Sequence, residues 1–216
     1  MQARALVLQS GSSAGRDSAK VQFQTVLSKK ATGVQAAVAH YGLSVVYALD
    51  GDAAQAYAEA QKAVQMAGRN DVFLQKNLLQ TRYAMAADKK PVLKEIAALA
   101  NDNPLSVMLA KTYIEDLYEQ GMHEEILKYL KGQSAISQDN ADYFRYLARS
   151  SEALGRRSEA FRATGKMYAL QGDWKMAAYQ FKQAQRVSDG DFFTMSEVDA
   201  DLREAEDHLK QDKPHH

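Results

Sequence analysis

The feature that most constrains this chain is a spacing. From Phe161 the sequence reads Phe161-x-x-Thr164-Gly165-x-x-Tyr168, then Gly172, then Ala177-x-x-x-Phe181-x-x-Ala184. Two apolar runs of helical period flank a turn glycine. Small residues (Gly165, Ala177, Ala184) let two helices approach, and aromatics (Phe161, Tyr168, Phe181) fill the space between them. Gly172 sits where a reversal uses positive φ. One such match describes any helical hairpin, so recurrence decides. Upstream, Leu43, Tyr47, Gly51, Ala56, Ala60 and Ala63 repeat the order, with Ser44 at the small position. Leu79 and Tyr83 begin a degenerate copy in which Ala87 replaces the turn glycine. There Pro91 opens the second helix at its first position, where a missing N–H costs little, and Asn101-Asp102-Asn103-Pro104 stops it. Tyr113, Leu117, Gly121, Ile126 and Leu130 form the next copy, and Phe144, Leu147, Gly155 and Ala160 the one after. Gly121 and Gly155 are 34 residues apart, Gly155 and Gly172 only 17. The helix over 157–170 therefore fits both as the second helix of one copy and as the first of the next.

A helix pair every 34 residues with this small/aromatic order resembles the tetratricopeptide repeat. The expected fold is an all-α solenoid of antiparallel helix pairs with a C-terminal capping helix, about ten to twelve helices in all. Residues 1–33 read as N-terminal helices of a truncated first repeat: the end of a helix over 1–10, a soft linker over Gly11–Gly15, and a helix from about Ser18 to Lys29. Residues 34–188 form the array and 189–210 the cap, a helix from about Met195 with Val198, Leu202, Ala205 and Leu209 on one narrow stripe and acids elsewhere. Residues 211–216 read as a disordered tail.

Composition agrees and excludes. Three prolines and twelve glycines in 216 residues favour helix, and 46% hydrophobic with 25% charged residues suits a folded chain. Lys+Arg and Asp+Glu balance at 27 each, so no bulk field points to nucleic acid. No run approaches the ~20 apolar residues of a membrane-spanning helix. Without Cys there is no disulfide, thiolate nucleophile or Cys-based metal site. The opening MQARALVLQS holds only a short apolar run without a cleavage pattern, so it reads as the start of an excised piece, not as a secretory leader.

No catalytic, cofactor-binding or metal-ligating residue is expected. His123-Glu124 begins a string like the zinc motif His-Glu-x-x-His, but Leu127 stands where the second ligand belongs, and the pair reads as a helix start. His40 occupies a packing position, and His208, His215 and His216 a C-terminal cluster. No nucleophile elbow, phosphate-cradling loop or dinucleotide fingerprint is present. A solenoid offers instead a groove lined by the first helices of its units. The early unit contributes Val38, Tyr41, Val45 and Ala48; later ones contribute Lys111, Arg145, Arg149, Arg162 and Lys166, with Tyr113 and Tyr146 nearby. The expected partner-binding residues are Tyr41, Val45, Lys111, Arg145, Tyr146, Arg149, Arg162 and Lys166. Their cations suit the carboxylates of an extended peptide or partner domain, and Glu115, Asp142 and Glu152 equally suit neutralising them within the fold. The Lys/Asn clamp of chaperone-binding repeats is not reproduced, Asn77 being an isolated match.

The C-terminal half carries a narrower resemblance. Tyr143-Phe144-Arg145-x-Leu147-Ala148, Glu152-Ala153-Leu154-Gly155, Glu159-Ala160, Tyr168-x-x-x-Gly172-Asp173, Ala177-x-x-x-Phe181, Asp189-Gly190-Asp191-Phe192-Phe193 and Asp201-Leu202-Arg203-Glu204 resemble the C-terminal region of periplasmic zinc metallopeptidases that carry tetratricopeptide repeats, the group of the β-barrel assembly-enhancing protease. What the resemblance implies is a non-catalytic protein–protein interaction module. Zinc and its His-Glu-x-x-His would lie in an upstream protease domain. The implied partners are that domain, outer-membrane substrates or their β-barrel assembly machinery, and the implied compartment is the periplasm. The alternative is a free-standing scaffold or co-chaperone unrelated to proteolysis. An enzyme complete in this chain is disfavoured.

Overall fold

The computed structural model describes residues 12–68, 70–132 and 135–211. The helix end expected over 1–10 and residues 212–216 of the expected tail lie outside the described residues, while Gln211, expected in that tail, ends the last helix. Within them the chain is all-α, with eleven helices and no strand. In order these are α1 (Ser13–Ser28), α2 (Gly33–Leu49), α3 (Ala53–Ala67), α4 (Val72–Met85), α5 (Lys90–Asp102), α6 (Val107–Glu119), α7 (His123–Gly132), α8 (Ala141–Ala153), α9 (Arg157–Leu170), α10 (Trp174–Val187) and α11 (Phe192–Gln211).

Local chemistry sets the boundaries. Asp52, Asp71, Ser106, Asn140 and Asp173 each cap the helix that follows by accepting a backbone N–H of its first turn. Four of the reversals share one geometry. Gly51, Gly121, Gly155 and Gly172 all have φ between +66° and +82°. The residue after each donates its N–H five residues back: Asp52 to Tyr47, Met122 to Leu117, Arg156 to Ser151 and Asp173 to Tyr168, at 2.8–3.0 Å. This six-to-one bond satisfies an orphan carbonyl of the ending helix and fixes the direction of the next one.

Three boundaries differ from expectation. Of the linker expected over 11–15, residues 13–15 are helix, because Ser12 accepts from Gly15 N and starts α1 five residues early. Helix α11 begins at Phe192, not Met195, since Asp191 accepts from Thr194 N at 2.8 Å. Pro91 is the second residue of α5, Asp88 taking the Lys90 N–H ahead of it.

The chain divides into two compact units, Met1–Asp102 and Asn103–His216. Within each, every helix packs on the next in sequence, and α2 with α4 and α9 with α11 also touch. In the first unit Ala19 and Phe23 of α1 pack on Ala39, Leu43 and Val46 of α2. In the second, Ile114 and Leu117 of α6, Ile126 and Leu130 of α7, Ile136, and Tyr143, Phe144 and Tyr146 of α8 form one core. Phe181 of α10 lies with Ala177, Ala178, Leu202 and Ala205 in another. Close approach is made by glycine: a Cβ on Gly165 would stand 2.7 Å from Phe181 Cδ1 and 2.9 Å from Cζ. Gly42 faces the ring of Phe23 in the same way.

Candidate functional site

In the first unit exposed apolar side chains occur on several helices, among them Val21, Phe73 and Met85, and α2 carries three more. One side of this helix is buried through Ala36, Ala37, Ala39, Leu43, Ser44 and Val46. The other side is apolar as well. Val34 is 57% exposed, Val38 45% and Leu49 52%, with Tyr41 and Val45 half-buried between them. Steps of three and four residues place Val34, Val38, Tyr41, Val45 and Leu49 along one stripe. No Asp, Glu, Lys or Arg occurs anywhere in α2.

The polar groups of α2 are engaged in the fold. His40 Nδ1 lies 2.6 Å from Glu59 Oε2, and Lys62 Nζ lies 2.7 Å from the other carboxylate oxygen. Burial pushes the Glu59 carboxyl up, but the hydrogen bonds from Lys62 and His40 outweigh it and leave it lower than ordinary. Ser44 Oγ, fully buried, donates to Ala56 O and accepts from Asn77 Nδ2, both at 2.8 Å, tying α2 to α3 and α4. Asn77 therefore serves the fold.

In the second unit the structure places each expected cation beside a carboxylate of the same unit. Lys111 of α6 and Arg145 of α8 share Asp142, the latter at 2.7 Å. Arg149 lies over the Tyr118 ring at 4.0 Å and equally far from Glu115 Oε1. Tyr146 is buried under Arg145; burial, reinforced by its hydrogen bond to Glu115, pushes its phenol up to about 12. Arg162 of α9 reaches Asp201 at 2.7 Å and Glu197 at 2.5 Å on α11, and Lys166 reaches Asp201 at 3.3 Å. The Lys111–Arg145–Arg149 group thus shares two carboxylates, Asp142 and Glu115, among three cations, whereas Arg162 and Lys166 are matched by Glu197 and Asp201. What they offer an incoming anion is the potential that their own carboxylates leave.

Sequence reasoning named Tyr41 and Val45 but missed Val34 and Leu49, which lengthen the stripe. The available signal was the uniform apolarity of α2, since a helix without a polar side has no side assigned to water. Also missed was the role of Asp189. Its carboxylate accepts from the N–H groups of Arg157 (2.9 Å) and Ser158 (2.7 Å), capping α9 from the turn after α10. Ser158 Oγ in turn donates to Ala184 O at 3.0 Å and accepts from Asp189 N at 3.1 Å.

Among the described residues no group of three or more His, Asp or Glu is placed to hold a metal ion, and no helix is long and apolar enough to cross a membrane. No protein-family model matches the sequence, and a comparison with curated proteins returns no match.

Proposed function

We propose that this chain is a non-catalytic protein-recognition module of tetratricopeptide-repeat type, taking its partner on the open side of α2. The observation that carries the reading is the uncharged stripe of Val34, Val38, Tyr41, Val45 and Leu49, held rigid by a packed opposite side. An apolar surface rooted in buried helix packing is pre-organised, so a partner gains the burial without ordering the receptor. The repeated glycine turns and the nearest-neighbour packing support the repeat architecture. By the resemblance of its C-terminal half, the parent protein is a periplasmic zinc metallopeptidase with its active site elsewhere in the polypeptide. In that setting the module presents substrate or outer-membrane assembly partners to the protease. A free-standing scaffold would use the same surface without a protease attached.

The reading is tested by replacing Val34 and Val38, both exposed, together with Gln and comparing, against the unaltered chain, the proteins retained from envelope extract. Loss of a specific partner with the helical circular dichroism unchanged is the expected result. Retention of every partner at full strength removes α2 from the account.

A further inference from the structure

The chain's zero net charge conceals a division. Up to Asp102, twelve Lys and Arg stand against eight Asp and Glu; from Asn103 on, fifteen stand against nineteen. The first unit carries a net +4 and the second a net −4. Each also exposes apolar surface that its own packing leaves open. In the first unit this includes, besides Val21 and Phe73, the α2 stripe, which follows Lys29 and Lys30, both exposed in the turn before Gly33. In the second it includes, besides Leu105 and Tyr179, Phe192 and Phe193 at the start of α11, 80% and 76% exposed, their rings edge to face at 6.0 Å. The stripe that docks α11 begins only at Val198, so neither ring belongs to the core. Asp189 and Asp191 precede the pair in the turn before α11. Burial pushes the Asp189 carboxyl up, but hydrogen bonds from Ser158 and Arg157 outweigh it, and hydrogen bonds from Thr194 lower that of Asp191, so both are anionic at neutral pH.

We propose that the occupant of the α2 stripe is a second copy of this chain, which inserts Phe192 and Phe193 against Val34 and Val38. The acidic turn before the aromatic pair then lies against the basic turn before α2. This rests on the reading of α2 as a recognition surface and names a ligand for it. Exposed aromatics are the side chains that anchor interfaces, because they bury much area for little lost rotamer freedom. Opposite net charges steer the two surfaces together and oppose pairing of like with like. The contact is heterologous, head to tail. A pair therefore leaves one stripe and one aromatic pair still open, and growth continues with concentration unless a ring closes. A foreign partner on α2 competes with this self-association, which makes assembly a brake on recognition.

The test is sedimentation velocity on the whole chain from micromolar to near-millimolar concentration, at low and at high salt. The sedimentation coefficient is expected to rise with concentration at low salt, and the apparent Kd to weaken on the order of tenfold at high salt. Two variants give the decisive arm: Phe192→Ser with Phe193→Ser, and Val34→Gln with Val38→Gln, all at exposed positions of helices anchored elsewhere. Each variant alone is expected to stay monomeric, and an equimolar mixture to form a dimer and nothing larger, since each supplies the surface that the other lacks. A wild-type chain that is monomeric throughout overturns the proposal. So does a mixture that stays monomeric, or association that survives in the serine variant. If self-association is absent while the α2 variants still lose a foreign partner, the pairing falls and the recognition reading stands; if both readouts are unaffected by the α2 variants, both fall.

Discussion

Replacing Gly165 by alanine sets two effects against each other within one methyl group. In an ordinary helix the change stabilises by about 1 kcal/mol, since glycine loses more backbone freedom on folding. Here the new Cβ meets the ring of Phe181, which is 1% exposed and enclosed by Ala177, Ala178, Leu202 and Ala205. With Cδ1 and Cζ at 2.7 and 2.9 Å, the ring or the helix must shift, and overpacking of this kind costs about 1–3 kcal/mol. The net expectation is a loss of about 0–2 kcal/mol once the propensity gain is subtracted. Phe181→Leu removes the ring. In that background Gly165→Ala should reverse sign and stabilise by up to about 1 kcal/mol, giving a coupling of roughly 2 kcal/mol in the cycle. Trp174 is the only tryptophan and packs on the same cluster, so urea unfolding followed by its fluorescence reads the second unit directly. A Gly165→Ala chain stabilised by the full propensity gain of about 1 kcal/mol, or an equal effect in both backgrounds, refutes the packing argument.

Three further outcomes follow from the polar contacts. Asp189→Ala uncaps α9 and should destabilise the second unit by about 1 kcal/mol at neutral pH. Because the folded carboxyl is lowered, its contribution is present above the unfolded value near ~3.9 and is lost as pH falls through the folded one. The gap between variant and parent should therefore close in acid, as read by urea midpoints at several pH values. Asp201→Ala strips the shared carboxylate from Arg162 and Lys166 and should loosen α11 by about 1–3 kcal/mol, seen as faster amide exchange along that helix. Charge reversal of Arg145 and Arg149 to Glu should leave the fold within about 1 kcal/mol, these being surface pairs, and weaken partner capture at low salt. Capture unchanged at low salt assigns both cations to Asp142 and Glu115 alone.

Helix placement was legible in the sequence wherever packing and turn chemistry act locally. The helix over 157–170 matches α9, and His123 opens α7 as read. Boundaries failed where one hydrogen bond outranks the apolar pattern: Ser12 lengthens α1 through a polar stretch, and Asp191 draws two solvent-facing phenylalanines into α11. The basic positions were legible as residues but not as surroundings. Asp201 and Glu197 lie on α11, 35 or more residues from Lys166 and Arg162, and no spacing rule announces a pairing over that distance. Asp189 escaped notice for the same reason, since its partners at Arg157 and Ser158 precede it by a whole helix pair. The α2 stripe was half legible. Helical period assigns residues to a side, but only the packing of α1 and α3 decides which side stays open.

The central claim, that α2 presents a recognition surface, is met most directly by site-specific photo-crosslinking in intact envelopes. A photoreactive residue at Val38 or Val45 should capture a discrete partner, or a second copy, that the same residue at exposed Lys128 of α7 does not. Equal capture from all three positions, or none from α2, contradicts the claim.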